Sequence, residues 1–448
     1  MRIETLDVLR CPYCGWHFEL DTSHFHERSG NEIVNGVLAC LCCNLPVIDG
    51  IPVMHLQEDA TAALDQMKAK RPDRARRTMF GLESDAQAEA FDAVAASATS
   101  TYRDMVEALG PTFEGGYFLY RFSDPTYLVA QAVVRAVAST VLNLPAGFGQ
   151  RAGRRAIDIC GGSGHVTRTL LDLTSAPPVL ADLYFAKIWL ARRFTAPGCE
   201  PVCCDGNAPM PFARGAFTFA MCTDAFMYIW TKRQFVGEME RLIDTSSGTR
   251  GRTRQFQERA ATHLRLPTET DSPGAAVIGH AHNERAWSPS HGQPLPPEGY
   301  AHLFESLEPH IFGEDGLFAD IIGGGPLDLS RREDPATLDA NPALTIVASR
   351  EPRVFARHPL PAPPTKAAGQ LRLNPLYAQE PEGDRLRLRL AFPSADYEEE
   401  YGACRQYLPE ELTIERSTMA AIEAGRVSGE IIELLRRKVI VDLPTRYY

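Results

Sequence analysis

The chain has 448 residues, 44% of them hydrophobic and 23% charged, with a formal net charge of −11. This is the composition of a globular chain with one large core and one or two smaller units. The acidic balance repels nucleic-acid phosphates on average, so RNA binding falls to local basic stretches, of which 68–77 and 249–265 are the candidates.

No apolar run follows the start, MRIETLDVLRCPYCG, and the most apolar helical stretch, LVAQAVVRAVASTVLNL, is interrupted by Gln131 and Arg135. The expectation is a cytoplasmic chain without a membrane span. Five of the eleven cysteines fall within the first 43 residues. Without an export signal, reduced or metal-bound thiols fit better than disulfides.

Residues 1–56 are rich in cysteine and turns. Cys11-Pro-Tyr-Cys14 and Cys40-Leu-Cys42-Cys43 supply two C-x-x-C units, and two such turns can point four thiolates at one tetrahedral zinc. Cys11, Cys14, Cys40 and Cys43 are the expected ligands, with Cys42 spare but able to exchange with Cys43. Disulfides are the alternative. Such a zinc is structural, because four thiolates leave no position for water. With LPVIDGIPVM at 45–54, the segments LRCPYC and NGVLACLCC resemble the small zinc-ribbon proteins that activate tRNA and protein methyltransferases. This copy is about two residues shorter before the Asp49-Gly50 turn. The resemblance implies a bound zinc and a ribbon surface open to a protein partner. The segment carries three Lys and Arg against seven Asp and Glu, a poor phosphate clamp.

Residues 57–150 read as a helical connector or cap, including a helix that Asp124 caps and Pro125 opens. Residues 151–350 alternate short apolar runs with amphipathic ones, the pattern of an α/β domain with helices on both faces of a sheet. RRAIDICGGSGHVTRTLLDL at 154–173 is its most informative segment. Ala156–Ile159 reads as a strand with Asp158 near its end, Gly161, Gly162 and Gly164 as the turn, and an amphipathic helix starting near His165. Threonine at 167 breaks the G-x-G-x-x-G dinucleotide fingerprint, and no Gly-Lys-Ser/Thr follows. An acid ahead of the glycines suits a cationic ligand end better than a pyrophosphate.

This segment resembles the first motif of class I S-adenosylmethionine-dependent methyltransferases, acid-x-Gly-x-Gly-x-Gly, with Cys160 in place of the first glycine. The resemblance implies a Rossmann-like sheet over about residues 130–350 and S-adenosyl-L-methionine as cofactor. It further implies Asp182, at the end of PPVLADL, as the acid that meets the ribose hydroxyls. Asp205, Gly206 and Asn207, after PVCC, fall where the family meets the adenine amino group. Asp224, after FTFAMCT, falls beside the sulfonium and the substrate.

GAAVIGH at 274–280 reads as the next strand, ending in His280-Ala-His282. An imidazole at the carboxyl end of such a strand is a natural base near neutral pH, so His280 and His282 are the catalytic candidates with Asp224. Packing histidines are the alternative, and a metal reading lacks an identifiable third ligand. His291 falls on a loop over the same crevice. A helix near Glu298–Leu307 and the strand ALTIVAS at 343–349 complete the expected sheet, and 244–273 reads as a disordered insert rather than a lid.

The Pro-rich stretch from 351 opens a C-terminal α+β extension, 351–448, in which RLRLRLAF alternates as a half-buried strand, a helical pattern follows, and KVIVDL closes as a strand. No chemistry is legible there. The expected function is methyl transfer to an O or N atom of a small polar or biosynthetic molecule. An RNA methyltransferase is the first alternative, and a non-catalytic binding subunit with this fold is the second.

Overall fold

The computed structural model describes residues 1–82, 84–110, 119–143, 154–243, 274–286, 292–360 and 369–448. The insert 244–273, the basic stretch 249–265 within it and His291 lie outside the described residues.

The N-terminal unit is a small antiparallel sheet of β1 (Glu19–Leu20), β2 (Glu27–Ser29), β3 (Glu32–Ala39), β4 (Asn44–Ile48) and β5 (Ile51–Pro52), ordered β1-β3-β4-β5 with β2 on β3. Asp49 and Gly50 join β4 to β5 with φ of 48° and 75°, and Ile48 pairs with Ile51. A two-residue loop with both φ positive matches the right-handed strand twist, which is why Asp-Gly stands there. The unit lies against the edge of the large sheet: Val53 bridges Cys203, the Met54 N–H donates to the Cys203 carbonyl at 2.7 Å, and the Arg10 N–H donates to the Pro211 carbonyl at 2.9 Å.

The large sheet contains β6 (Ala156–Ile159), β7 (Val179–Asp182), β8 (Glu200–Cys203), β9 (Phe219–Thr223), β10 (Ala275–His282), β11 (Pro309–Gly313) and β13 (Ala343–Ser349), with a two-residue strand β12 (Leu327–Asp328) outside it. Its order is β11-β13-β10-β9-β6-β7-β8. The pairs from β10 through β8 are parallel, and β13 runs antiparallel to both its neighbours. Alternate residues serve opposite faces, as the two-residue strand period requires. Ile157 and Ile159 join Phe235 and Met239 of the helix Lys232–Ile243 on one face. Ala156 joins Val133 and Val137 of the helix Thr126–Leu142 on the other. Coverage of both faces explains why β6, β7 and β13 are apolar almost throughout.

The chain leaves β6 toward β7 and β8, then returns to the far side of β6 as β9. Between β6 and β9 the connections diverge, opening a crevice at the carboxyl ends of the strands.

Asp124 accepts the Thr126 N–H at 2.8 Å and so caps the helix that Pro125 opens. The helix expected from His165 is a single turn, Thr167–Leu170. Thr167 and Thr169 are poor helix formers, and the Thr167 hydroxyl is bonded to Asp158 instead. The strand β11 was not foreseen: five residues at the sheet edge after Glu308, whose φ is 53°.

In the C-terminal region, β15 (Gln370–Leu373) pairs with β19 (Ile440–Leu443), after the short pairing of β14 (Arg357–His358) with β12. β16 (Tyr377–Glu382), β17 (Arg385–Leu390) and β18 (Glu411–Glu415) form an antiparallel sheet, and two helices, Arg416–Glu423 and Gly429–Arg436, accompany them. The alternation of RLRLRL is realised: Leu388 and Leu390 are buried, while Arg385 and Arg387 pair with Glu415 and Glu411 across the strands. This region holds the segment 119–124 against the large sheet. The Lys438 ammonium donates to the Phe122 carbonyl at 2.7 Å, the Asn374 amide to the Ser123 carbonyl at 3.0 Å, and the Tyr448 hydroxyl to the Leu119 carbonyl at 2.6 Å. No helix among the described residues is long and apolar enough to cross a membrane.

Candidate functional site

At the carboxyl end of β6, Asp158 is 1% exposed. The Thr167 hydroxyl donates to its Oδ2 at 2.5 Å, while Oδ1 is buried with no hydrogen-bond partner among the described residues. Burial pushes this carboxyl up to about 7, with the Thr167 bond opposing and Asp182 adding to the rise. A buried oxygen without a partner is costly unless a ligand supplies one.

The turn that follows is built for close approach. Cys160 has φ of 59°, and its N–H donates to the Ala181 carbonyl at 2.7 Å. A Cβ on Gly161 would meet Asp158 Oδ2 at 2.5 Å, whereas Gly162, with φ of 53°, faces open space. The Gly162 N–H donates to Asp182 Oδ2 at 2.9 Å, and the Tyr184 N–H donates to Oδ1 at 2.9 Å. Asp182 therefore ties the glycine turn to the end of β7.

After β8, Asp205 accepts the Asn207 N–H at 2.8 Å, and the Asn207 side-chain oxygen accepts the Trp230 N–H at 2.7 Å. A Cβ on Gly206 would approach Cys160 Sγ to 3.0 Å, so the glycine lets this turn close on the β6 turn. Tyr184, Tyr228 and Trp230 are exposed. The structure thus brings Asp158, Gly161, Gly162, Gly164, Asp182, Asp205, Gly206 and Asn207 to the ends of three adjacent strands.

A second cluster lies at the ends of β9 and β10. Asp224 and His280 both have left-handed backbones, with φ of 54° and 51°, and the Asp224 N–H donates to the Gly279 carbonyl at 2.9 Å. One ligand atom from each of Asp224, His280 and His282 falls within 4.8 Å of the other two. Asp224 is paired with Arg121, and the Tyr127 hydroxyl lies 3.3 Å from its Oδ2. Burial raises the Asp224 carboxyl, but Arg121 and His280 outweigh it and leave the group below its ordinary range.

Glu314, the first residue of the helix Glu314–Ile322, accepts the His280 N–H and, at its other oxygen, the Nδ1–H, each at 2.8 Å. The Thr345 hydroxyl donates to the same carboxylate at 2.9 Å. Burial lowers the His280 imidazole, yet Glu314 and then Asp224 reverse the sign and lift it to about 9. The His282 ring lies edge-on to His280, 5.8 Å between centroids, and its carbonyl accepts the Tyr300 hydroxyl at 2.7 Å. Glu314, Arg121 and Tyr127 were not foreseen as site residues. The only sequence signal for Glu314 is an acidic pair opening a helix.

In the ribbon, the Sγ atoms of Cys11, Cys14, Cys40 and Cys42 lie within 4.8 Å of one another. Cys43, the fourth ligand expected from spacing, has its Sγ 3.7 Å from Cys11 and 3.6 Å from Cys40, so Cys42 and Cys43 both enter the cluster. Cys11–Cys42, Cys40–Cys42 and Cys14–Cys40 are 3.6, 3.6 and 3.8 Å apart. Four thiolates around one zinc at about 2.3 Å have a tetrahedral edge of about 3.8 Å, so the donor set fits the metal. None of these thiols is in a disulfide. In the basic stretch 68–77, Arg76 pairs with Asp49, Asp73 and Asp92, and Arg77 with Asp92.

No protein-family model matches the chain, and no curated protein does. Among solved structures, it is similar to the YcgJ protein from Bacillus subtilis, at 15% identity over 48% of this chain and 96% of that one, with a TM-score of 0.28. It is similar to a SAM-dependent methyltransferase from Thermotoga maritima at 10% identity, over 50% and 92% of the two chains, TM-score 0.27. It is also similar to the geranyl diphosphate C-methyltransferase from Streptomyces coelicolor A3(2), solved with Mg2+, geranyl diphosphate and S-adenosyl-L-homocysteine, at 11% identity over 58% and 86%, TM-score 0.31.

Proposed function

We propose that this chain transfers a methyl group from S-adenosylmethionine to an O or N atom of a small polar acceptor. The observation that carries this reading is the buried, unpartnered oxygen of Asp158 beside a glycine turn at the switch point of the sheet. A pyrophosphate site needs N–H donors, whereas a carboxylate at this depth calls for a cation. The ammonium of the cofactor's methionine end is such a group.

Asp158, Gly161, Gly162 and Gly164 hold the methionine end in this reading, Asp182 the ribose, and Asp205, Gly206 and Asn207 the adenine. When bound, the cofactor supplies an electrophilic methyl group. The cluster at β9 and β10 does the rest. Asp224 fixes Arg121, Glu314 fixes His280, and His280 and His282 together face the acceptor and manage its proton. Orientation and removal of one proton are what an in-line displacement needs from the protein. We further propose one structural zinc in the ribbon, held by Cys11, Cys14 and Cys40 with Cys42 or Cys43.

A small acceptor is favoured over RNA because the chain's formal net charge is −11 and two arginines of the stretch 68–77, Arg76 and Arg77, are paired with carboxylates. The test is calorimetric binding of S-adenosylhomocysteine to the wild type and to Asp182→Ala. Micromolar binding that weakens by about 1–3 kcal/mol in the variant is expected for hydrogen bonds to a charged group. No binding by the wild type sinks the proposal. A methyl-transfer assay on pooled ribosomal and transfer RNA, with salt-sensitive incorporation, would replace the small acceptor by RNA.

A further inference from the structure

We propose that Asp224, His280 and His282 bind one divalent cation of the first transition row, and that the acceptor is a molecule that chelates it through two neighbouring oxygens. The cation site stands on the geometry of the three side chains. The acceptor class rests in addition on the methyl-transfer reading above.

Two imidazoles and one carboxylate with ligand atoms within 4.8 Å of one another are a set that Mn2+, Fe2+ or Zn2+ accepts, and three protein ligands leave coordination positions for a substrate. The backbone is bent to make the set. Asp224 and His280 are two of the seven non-glycine residues with positive φ among the described residues, and they sit side by side at the ends of neighbouring parallel strands. The pairing of β10 with β13 shifts register between Ile278 and Ala281, which turns His280 out of regular alternation. Left-handed backbone at a non-glycine residue is strained and collects at functional sites.

The second sphere has the form expected of a metal-bound histidine. Glu314 takes the Nδ1–H of His280 while also accepting its backbone N–H, which fixes the orientation of the ring. The Tyr300 hydroxyl holds the carbonyl of His282. Asp224 and Glu314 bring two negative charges, paired with Arg121 and His280, and an entering cation displaces the ring proton of His280 to take its place. Arg121 competes with that cation for Asp224, and the two sit together when the carboxylate offers one oxygen to each.

A cation held at the carboxyl ends of β9 and β10 lies on the rim of the crevice where the cofactor reading places the transferred methyl group. Its open positions fit an acceptor with vicinal hydroxyls, or a hydroxyl beside a carboxylate. Coordination makes such a hydroxyl more acidic and fixes its direction, and in the loaded site it replaces the imidazoles' own part in removing the proton, which leaves to solvent.

The experiment titrates the full-length, zinc-loaded protein with Mn2+, without cofactor or acceptor, reading free Mn2+ by electron paramagnetic resonance. One Mn2+ per chain is expected. Asp224→Asn and His282→Ala should each weaken it tenfold or more, with ribbon zinc content and thermal unfolding serving as checks on folding. Arg121→Gln should retain or tighten it. No uptake by the wild type, or uptake indifferent to Asp224→Asn and His282→Ala, overturns the site. For the acceptor class, the chromophore 4-nitrocatechol should bind the Mn2+-loaded protein with a spectral shift that 4-nitrophenol does not give. Equal binding of both, or binding independent of Mn2+, overturns that part. Mn2+ binding without S-adenosylhomocysteine binding keeps the metal site and sinks the methyl-transfer reading. The reverse result does the opposite.

Discussion

Glu314 grips His280 at two points, accepting its backbone N–H at one carboxylate oxygen and its ring Nδ1–H at the other, both at 2.8 Å. The two residues are 34 positions apart, and their meeting depends on a helix that opens where β11 ends. An ionised carboxylate only accepts, so the proton is on Nδ1 of the ring.

Glu314→Gln should therefore keep the backbone contact while removing the charge that lifts the imidazole. The His280 titration, followed by NMR, should move down from about 9 toward ordinary values. Turnover should fall by about 10–100-fold, as for loss of a group that orients an active side chain. A merely structural Glu314 would leave the titration where it is.

His282→Ala should lower kcat by about a hundredfold or more while the affinity for S-adenosylhomocysteine stays within a factor of about two. Because His282 is buried at a strand end, circular dichroism must accompany the measurement. Near-normal turnover in a folded variant assigns this ring to packing.

In the methyl-transfer reading, Asp158 should make cofactor affinity depend on pH. Its carboxyl titrates near 7 in the folded chain, against 3.8 when free, so it holds a proton at mildly acidic pH that the unfolded chain has released. The unliganded fold accordingly loses stability as pH rises between these values. A cationic ligand favours the ionised form, so binding of S-adenosylhomocysteine should strengthen as pH rises through about 7. Asp158→Asn should flatten that dependence, and an unchanged slope in the variant removes Asp158 from the binding site.

Lys438 is buried, and burial pulls its ammonium down to about 8 against the partial support of Asp124 and Asp442. The folded chain gives up this proton near 8 and the unfolded chain near 10.5, so stability should rise with pH across that interval. Lys438→Met should remove the rise in a thermal unfolding series. It should also loosen the segment 119–124, which carries Arg121, and so reduce turnover from a distance. The C-terminal region then serves the site by holding that segment.

Elemental analysis should find one zinc per chain, lost in Cys14→Ser and Cys40→Ser. Cys42→Ser and Cys43→Ser singly should each retain it if the two thiols substitute for one another, as their common distance of 3.6 Å to Cys40 suggests.

What was legible in the sequence was local. The strand ALTIVAS spans the predicted residues, and the glycine turn follows β6 as its spacing implies, because these patterns depend on near neighbours in the chain. The substitution of Cys160 for the motif's first glycine is visible in the sequence, but its consequence, a left-handed cysteine at φ of 59°, is not. The second cluster was only half legible. His280 and His282 stand out as a pair, whereas Arg121 reaches Asp224 across 103 positions through the fold of the C-terminal region. No periodicity records such a contact. β11 was missed because five residues at a sheet edge carry too short an apolar pattern to separate from a loop.

The bridge between Val53 and Cys203 has a consequence for solubility. β8 is the last strand of the large sheet, and a strand in that position offers unpaired N–H and C=O groups to any other chain. The ribbon covers this edge, and Val53 and Met54 occupy part of it. If oxidation or chelation strips the ribbon of the proposed zinc, the exposed edge becomes a template for edge-to-edge association. Metal loss should then announce itself as concentration-dependent aggregation before any loss of the crevice's own chemistry.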